Sequence, residues 1–248
     1  MAETEFHPIV PPGRGAWFEE TNWWVVREAG QPGLPQADAA RASLCQTYWY
    51  PIYCYVRRMG QGHEDAQDLT QAFFARLLEK NYVQAAAAEK GKFRSYLLMM
   101  LKRFLADQSD RAQRQKRGGG MAFIALDTED TEFRYRQEPA DELSPDKLFD
   151  RAWARSLLRR ALERLEQEWR AAGKTASFQE LKPHITCESD RSCAAVAQKL
   201  GMTVNHLKIT VHRLRQRYGE LLRQEIARTA ATAEAVEEEL RDLHAALN

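Results

Sequence analysis

The chain has 248 residues, 44% of them hydrophobic and 29% charged, and a formal net charge of +1. That is enough chain and apolar content for two small domains with real cores. No apolar stretch is long enough to span a membrane. The start is acidic and proline-bearing rather than basic and then apolar, so no secretory signal is expected and the protein is expected in the cytoplasm. No phosphate-binding glycine loop, nucleophile elbow or HExxH occurs, so no catalytic residue, cofactor or enzyme activity is assigned.

The near-zero net charge hides segregation. Residues 92–117 are strongly basic, 127–146 acidic and 199–228 basic again, and the tail after Glu234 is acidic. Local charge governs nucleic-acid binding, and two basic blocks suggest two contact sites. Cys45, Cys54, Cys187 and Cys193 form no CxxC pair. His184, Cys187 and Cys193 lack a fourth ligand at any usual spacing, so no metal is assigned and the thiols are expected to fill core space.

Residues 1–16, with Pro8, Pro11, Pro12, Gly13 and Gly15, are expected to be loose. A first helix over 21–29 is capped by Thr21, carries Trp23, Trp24 and Val26, and ends at Gly30-Gln31-Pro32-Gly33. A second runs from about Gln36 to Met59 through Leu44, Tyr48 and Ile52, with a kink or break expected near Tyr50 because of Pro51. The third, over 64–80, buries Ala66, Leu69, Phe73 and Leu77 and turns Glu64, Asp68, Gln71 and Glu79 outward. A plain solvated face is the simpler account of those acids. The fourth starts near Phe93 with Leu97, Met100, Leu101, Phe104 and Leu105 inward. Lys102 and Arg103 lie outside, beside Tyr96 and Met99. Cations interleaved with an aromatic offer single-stranded nucleic acid a charged track and a stacking surface, although Tyr96 taken alone reads as core before it reads as a stacking platform.

From Gly118 to Asp146 the chain is acidic and reads as a flexible linker, too polar to fold alone. Extended, it would reach on the order of 90 Å at about 3.3 Å per residue. Ser144-Pro145 then signals a helix start. Leu148, Trp153, Leu157, Leu158, Ala161, Leu162 and Leu165 form the stripe of a long helix that Gly173 ends. Phe178, Leu181 and Ile185 mark a short helix that Pro183 interrupts.

Residues 193–218 predict a helix-turn-helix. Val196 and Leu200 share a face, Gly201 supplies the left-handed turn, and Thr203 caps the next helix. There Val204, Leu207, Val211, Leu214 and Tyr218 form the buried stripe. Opposite lie Asn205, Ile209, His212, Arg213 and Gln216, with Lys208 on the flank. This row suits base edges and phosphates, with Ile209 fitted to a thymine methyl group. An ordinary solvated bundle helix would lack both the turn chemistry and the basic outer face. The tail at 233–247 reads as an amphipathic acidic helix through Val236, Leu240, Leu243 and Leu247, with docking on its own domain preferred to regulation by a partner.

Three motifs in order resemble bacterial RNA polymerase sigma factors of the extracytoplasmic-function type, within the sigma-seventy class. EDAQDLTQAFFARL at 64–77 resembles that family's polymerase-binding helix, with Asp68 and Gln71 as its Asp-x-x-Gln pair. Ala72 stands where an acidic residue usually follows. FRSYL at 93–97 and its continuation to Asp107 are similar to the promoter-melting helix, with Tyr96 where Trp is frequent and Lys102-Arg103 where Arg-Asn is. LGMT at 200–203, then Leu207, Lys208, His212 and Arg213, is similar to the upstream-element reader. The resemblance spans roughly residues 17–111 and 148–228.

It implies an all-α chain of two helical domains joined by a flexible acidic linker, the second containing the helix-turn-helix. The expected divisions are a flexible N-terminus (1–16), a polymerase-binding and promoter-melting domain (17–111), the linker (112–147), the helix-turn-helix domain (148–228) and an acidic helical tail (229–248). Core RNA polymerase and promoter DNA are the implied partners, with room for an anti-sigma factor. Glu64, Asp68 and Gln71 would bind polymerase. Tyr96, Lys102 and Arg103 would hold the melted strand. Asn205, Lys208, Ile209, His212 and Arg213 would read duplex DNA. A stand-alone helix-turn-helix regulator would leave the third and fourth helices without a purpose. A helical protein-binding adaptor would leave the outward basic rows unexplained.

Overall fold

The computed structural model describes residues 29, 35–79, 91–114, 128–138, 143–186 and 192–248. The expected loose N-terminus, the 21–29 helix apart from Ala29, Cys187, and linker residues 115–127 and 139–142 lie outside these. Regular structure among the described residues is helical: α1 (Pro35–Arg58), α2 (His63–Glu79), α3 (Phe93–Arg114), α4 (Thr128–Arg136), α5 (Pro145–Ala171), α6 (Thr175–Ile185), α7 (Cys193–Lys199), α8 (Val204–Ala227) and α9 (Ala233–Leu247). None of these helices is long and apolar enough to cross a membrane.

The centre of the molecule is α1, buried continuously from Thr47 to Val56. A helix buried on every side must be apolar on every side, and the run Tyr48-Trp49-Tyr50-Pro51-Ile52-Tyr53-Cys54 meets that requirement. The helix continues through Pro51, so of the kink or break expected near Tyr50 the break does not occur. An interior proline costs about 3 kcal/mol. Ile52, Tyr53 and Val56, all fully enclosed, supply the offsetting packing. Trp49 stacks on Phe74 of α2 with centroids 5.7 Å apart, and Tyr48 meets Phe93 of α3 edge-on at 5.5 Å.

The principal partner of α1 is α5, which also carries α6, α8 and α9. Ser144 caps α5 by accepting from the Lys147 amide, with Pro145 following in the first turn. Its buried positions mix large side chains (Phe149, Trp153, Leu157, Leu165) with small ones (Ala152, Ala154, Ser156, Ala161). The small ones let neighbouring helices approach closely. One continuous apolar cluster therefore runs from Ala29 through α1 and α5 to Leu243 of α9. Gly173, at φ 70°, ends α5 as expected. In α6, Pro183 lies inside the helix instead of interrupting it.

The stretch 128–138, read as part of a flexible linker, is instead helical to Arg136 and fastened to α1. Tyr53 Oη donates to Glu132, and Arg57 donates to the same carboxylate at 3.0 Å. Tyr50 Oη donates to Glu138 at 3.2 Å, and Arg155 of α5 pairs with Glu138. Arg57 covers the Tyr135 ring at 4.9 Å and Arg134 the Tyr50 ring at 3.8 Å. Acids that look solvated in the sequence are buried here because α1 and α5 bring them tyrosines and arginines.

Candidate nucleic-acid interface

The helix-turn-helix is built by backbone geometry. Ser192 caps α7 by accepting from the Ala194 amide at 3.2 Å. Past its end, the Gly201 amide donates to the Gln198 carbonyl at 3.2 Å and the Met202 amide to Ala197 at 3.0 Å. That pair of bonds is a Schellman closure, and it needs the left-handed Gly201, at φ 64°. Thr203 Oγ1 then accepts from the His206 amide at 3.2 Å and starts α8. Val196, Ala197, Leu207 and Leu214 fill the angle between the two helices. Val204, expected in that stripe, is 38% exposed. As the first residue of α8, it sits ahead of the turn that seats Leu207.

On the outer side of α8, Asn205, Lys208, Ile209, His212 and Arg213 are all exposed. No other described residue holds any of these five. The three other arginines of the helix differ sharply, Arg223 reaching Glu237 of α9 at 3.3 Å. Arg215 donates twice to the His184 carbonyl, at 3.1 and 2.7 Å. Arg217 forks onto Glu168 at 3.0 and 2.7 Å and reaches Glu220. Both are occupied in holding α8 to α6 and α5. Ile209 stands 44% exposed among the free polar groups. A row of unengaged donors around one apolar tip can meet a major groove without first breaking internal bonds.

Behind this row, Glu225 anchors α8 to α5 through Arg160 at 2.9 Å and Arg164 at 2.8 Å. Burial alone would raise its carboxyl, but Arg160, Arg228 and Arg164 outweigh that and hold it below the usual range. Arg160 also reaches Gln46 of α1 at 2.9 Å, so the anchor extends to the central helix.

On α2, Glu64 and Asp68 are exposed and Gln71 is half-buried. Ala66, Phe73 and Leu77 face inward, as the periodicity predicts; Phe74 is buried too, and Leu69 is half-buried. Between α2 and α3 lies a groove of about 420 Å³ with buried Phe73, Leu77 and Phe104 in its wall. Tyr96, Met99 and Arg103 line it too, as does the Arg76–Asp107 pair at 2.8 Å. Tyr96 is half-buried against Phe93, centroids 6.4 Å apart. It presents an aromatic surface from a packed position.

Arg103 is exposed, but Lys102 is paired with Asp146 in the first turn of α5. Two further cations of this region are engaged more deeply, and sequence reasoning missed them. Arg94 Nε donates to Glu239 of α9 at 2.8 Å, its Nη1 to Asp150 of α5 and its Nη2 to Asp242 of α9. The guanidinium also lies over the Trp153 ring at 4.6 Å. Lys92 pairs with Asp242 and lies 3.9 Å from Glu238. The available signal was FRSYL itself, whose Arg94 neighbours Phe93. Its partners stand 56 and about 150 residues away, at no spacing a pattern could expose.

Among the described residues, no group of three or more His, Cys, Asp or Glu side chains could hold a metal ion. Cys45 and Cys54 are free and buried, and burial pushes the Cys45 thiol up to about 11.

A family model described as ECF sigma factor matches residues 37–179, which is more than half of the chain and includes α2 and α3. The match stops before α7 and α8, so that pair is assigned on its own geometry. No curated protein and no solved structure matches the chain. With the acidic α2, the groove-lined α3 and this match in register, the chain belongs to the ECF sigma factor family.

Proposed function

We propose that this sigma factor docks on core RNA polymerase through the outward face of α2, with Glu64, Asp68 and Gln71. In this reading Tyr96, Lys102 and Arg103 of α3 hold the melted strand of the downstream promoter element. Asn205, Lys208, Ile209, His212 and Arg213 of α8 read the upstream element as duplex. Residues 17–111 and 148–228 then serve the two elements, and polymerase supplies the chemistry. The observation that carries the reading is the unengaged row on α8, set on a closed helix-turn-helix in a chain whose α2 and α3 match the family.

The experiment is run-off transcription from a promoter pool with core polymerase and this chain. Transcripts sharing two upstream elements are expected. Asp68→Lys should lose co-elution with polymerase at unchanged helicity, because an interfacial charge reversal costs several kcal/mol. Co-elution of that variant at wild-type salt would remove α2 from the polymerase contact.

A further inference from the structure

The proposed function leaves α9 without work, yet α9 holds the chemistry that α3 would need to meet DNA. Lys92 immediately precedes α3, and Arg94 and Lys102 lie along its first half. Each is neutralised by a carboxylate from the C-terminal half of the chain: Asp242 and Glu239 on α9, Asp150 and Asp146 on α5. Val236 and Leu243 anchor α9, so the acids are presented from a docked helix and not from a loose tail. A cation that accepts a carboxylate fork accepts a phosphate by the same geometry.

We propose that Lys92 and Arg94 form a phosphate-binding site on α3 that the acidic α9 occupies in cis, so that a nucleic-acid strand must displace Glu239 and Asp242 to engage it. The inference rests on the reading of α3 as the strand-binding helix. It adds two contact residues and a built-in brake. In the closed chain, strand binding exchanges an internal ion pair for a phosphate pair and releases few counterions. Once the carboxylates are neutralised, the cations carry counterions that an incoming strand releases. Binding then becomes tighter at low salt and more salt-dependent, by about 0.7 in slope per cation on a single strand. Burial lifts the Glu239 carboxyl above its usual range, with Arg94 and Lys92 countering only in part, so removing that charge is tolerable to the fold.

The test uses the full chain and a short fluorescent oligothymidine, with anisotropy read across a salt series. Glu239→Gln with Asp242→Asn should bind about tenfold tighter than wild type at low salt, with a slope steeper by about one. Glu234→Gln with Glu237→Gln changes net charge equally on the same helix and releases only the half-exposed Arg223 of α8 while α3 stays covered, so it should gain far less than the first pair. Equal gain in both pairs, or no gain in the first at intact helicity, overturns the proposal. Should the first pair fail to fold, Asp242→Asn alone decides. Its side chain is 38% exposed, so the fold is spared, and a two- to threefold gain is expected. No gain there overturns the proposal as well. This assay contains no polymerase. Failure of the functional reading would appear separately, as wild type and variants alike failing to co-elute with core polymerase.

Discussion

Two helices of this molecule, α3 and α8, carry basic rows suited to nucleic acid, and the structure treats them oppositely. On α8 the five outward side chains are exposed and make no hydrogen bond or ion pair with another described residue, while Arg215 and Arg217 on the same helix are spent on structure. On α3 Lys102 and Arg94 are themselves spent, Arg94 gripped by three carboxylates and a tryptophan face, and Arg103 stays exposed. Positive charge in a sequence therefore marks capacity only. Whether a cation is available depends on which carboxylates the fold delivers to it.

The largest expected difference between the two helices is in stability. Arg94→Ala leaves Glu239 buried beside α3 without its partner and should cost about 3 kcal/mol in urea unfolding. Arg213→Ala should stay within about 0.5 kcal/mol of wild type, as an exposed and unpaired site does. Similar losses for both would erase the distinction between a spent and a free cation.

Binding should reverse that order. Arg213→Ala should cost about 1–3 kcal/mol on the preferred upstream duplex and little elsewhere, flattening the preference at one base pair. Lys208→Ala, on the flank, should weaken all duplexes alike and lower the salt slope by about one unit. Titration of the full chain against single-substitution duplexes at several salt concentrations separates them. Identical losses across the panel would make Arg213 a phosphate clamp and move base reading to His212 and Asn205.

The smallest effect is a pH dependence at the anchor behind α8. The Glu225 carboxyl titrates below its unfolded value, so its stabilisation is complete above that value and is lost as pH falls through the folded one. Glu225→Gln should be less stable at neutral pH and should flatten the acid limb of the curve. An unchanged acid limb would place the acid sensitivity in another carboxylate. Burial raises Glu239 while the arginines lower Glu225, so the two acids contrast in the direction of their titration.

Local signals were legible in the sequence where local physics decides. Ser144-Pro145 as a helix start, Gly173 and Gly201 as left-handed stops, and Thr203 as a cap each depend on atoms within a few residues. The inward stripe of Phe73, Leu77, Leu97, Leu101, Leu207 and Leu214 followed from periodicity alone, as did the outward row of α8. Pro51 does not break α1 although its local cost is real, because enclosure of α1 on every side offsets it. The acidic 128–138 stretch looked too polar to fold because Tyr53, Arg57 and Arg155, which satisfy Glu132 and Glu138, are distant in sequence. The cover over Lys92 and Arg94 was invisible for the same reason. Caps, turns and helix faces are properties of neighbours along the chain and can be read from it. The partner of a charge is a property of packing, and here only the tertiary structure brought α9 across the start of α3.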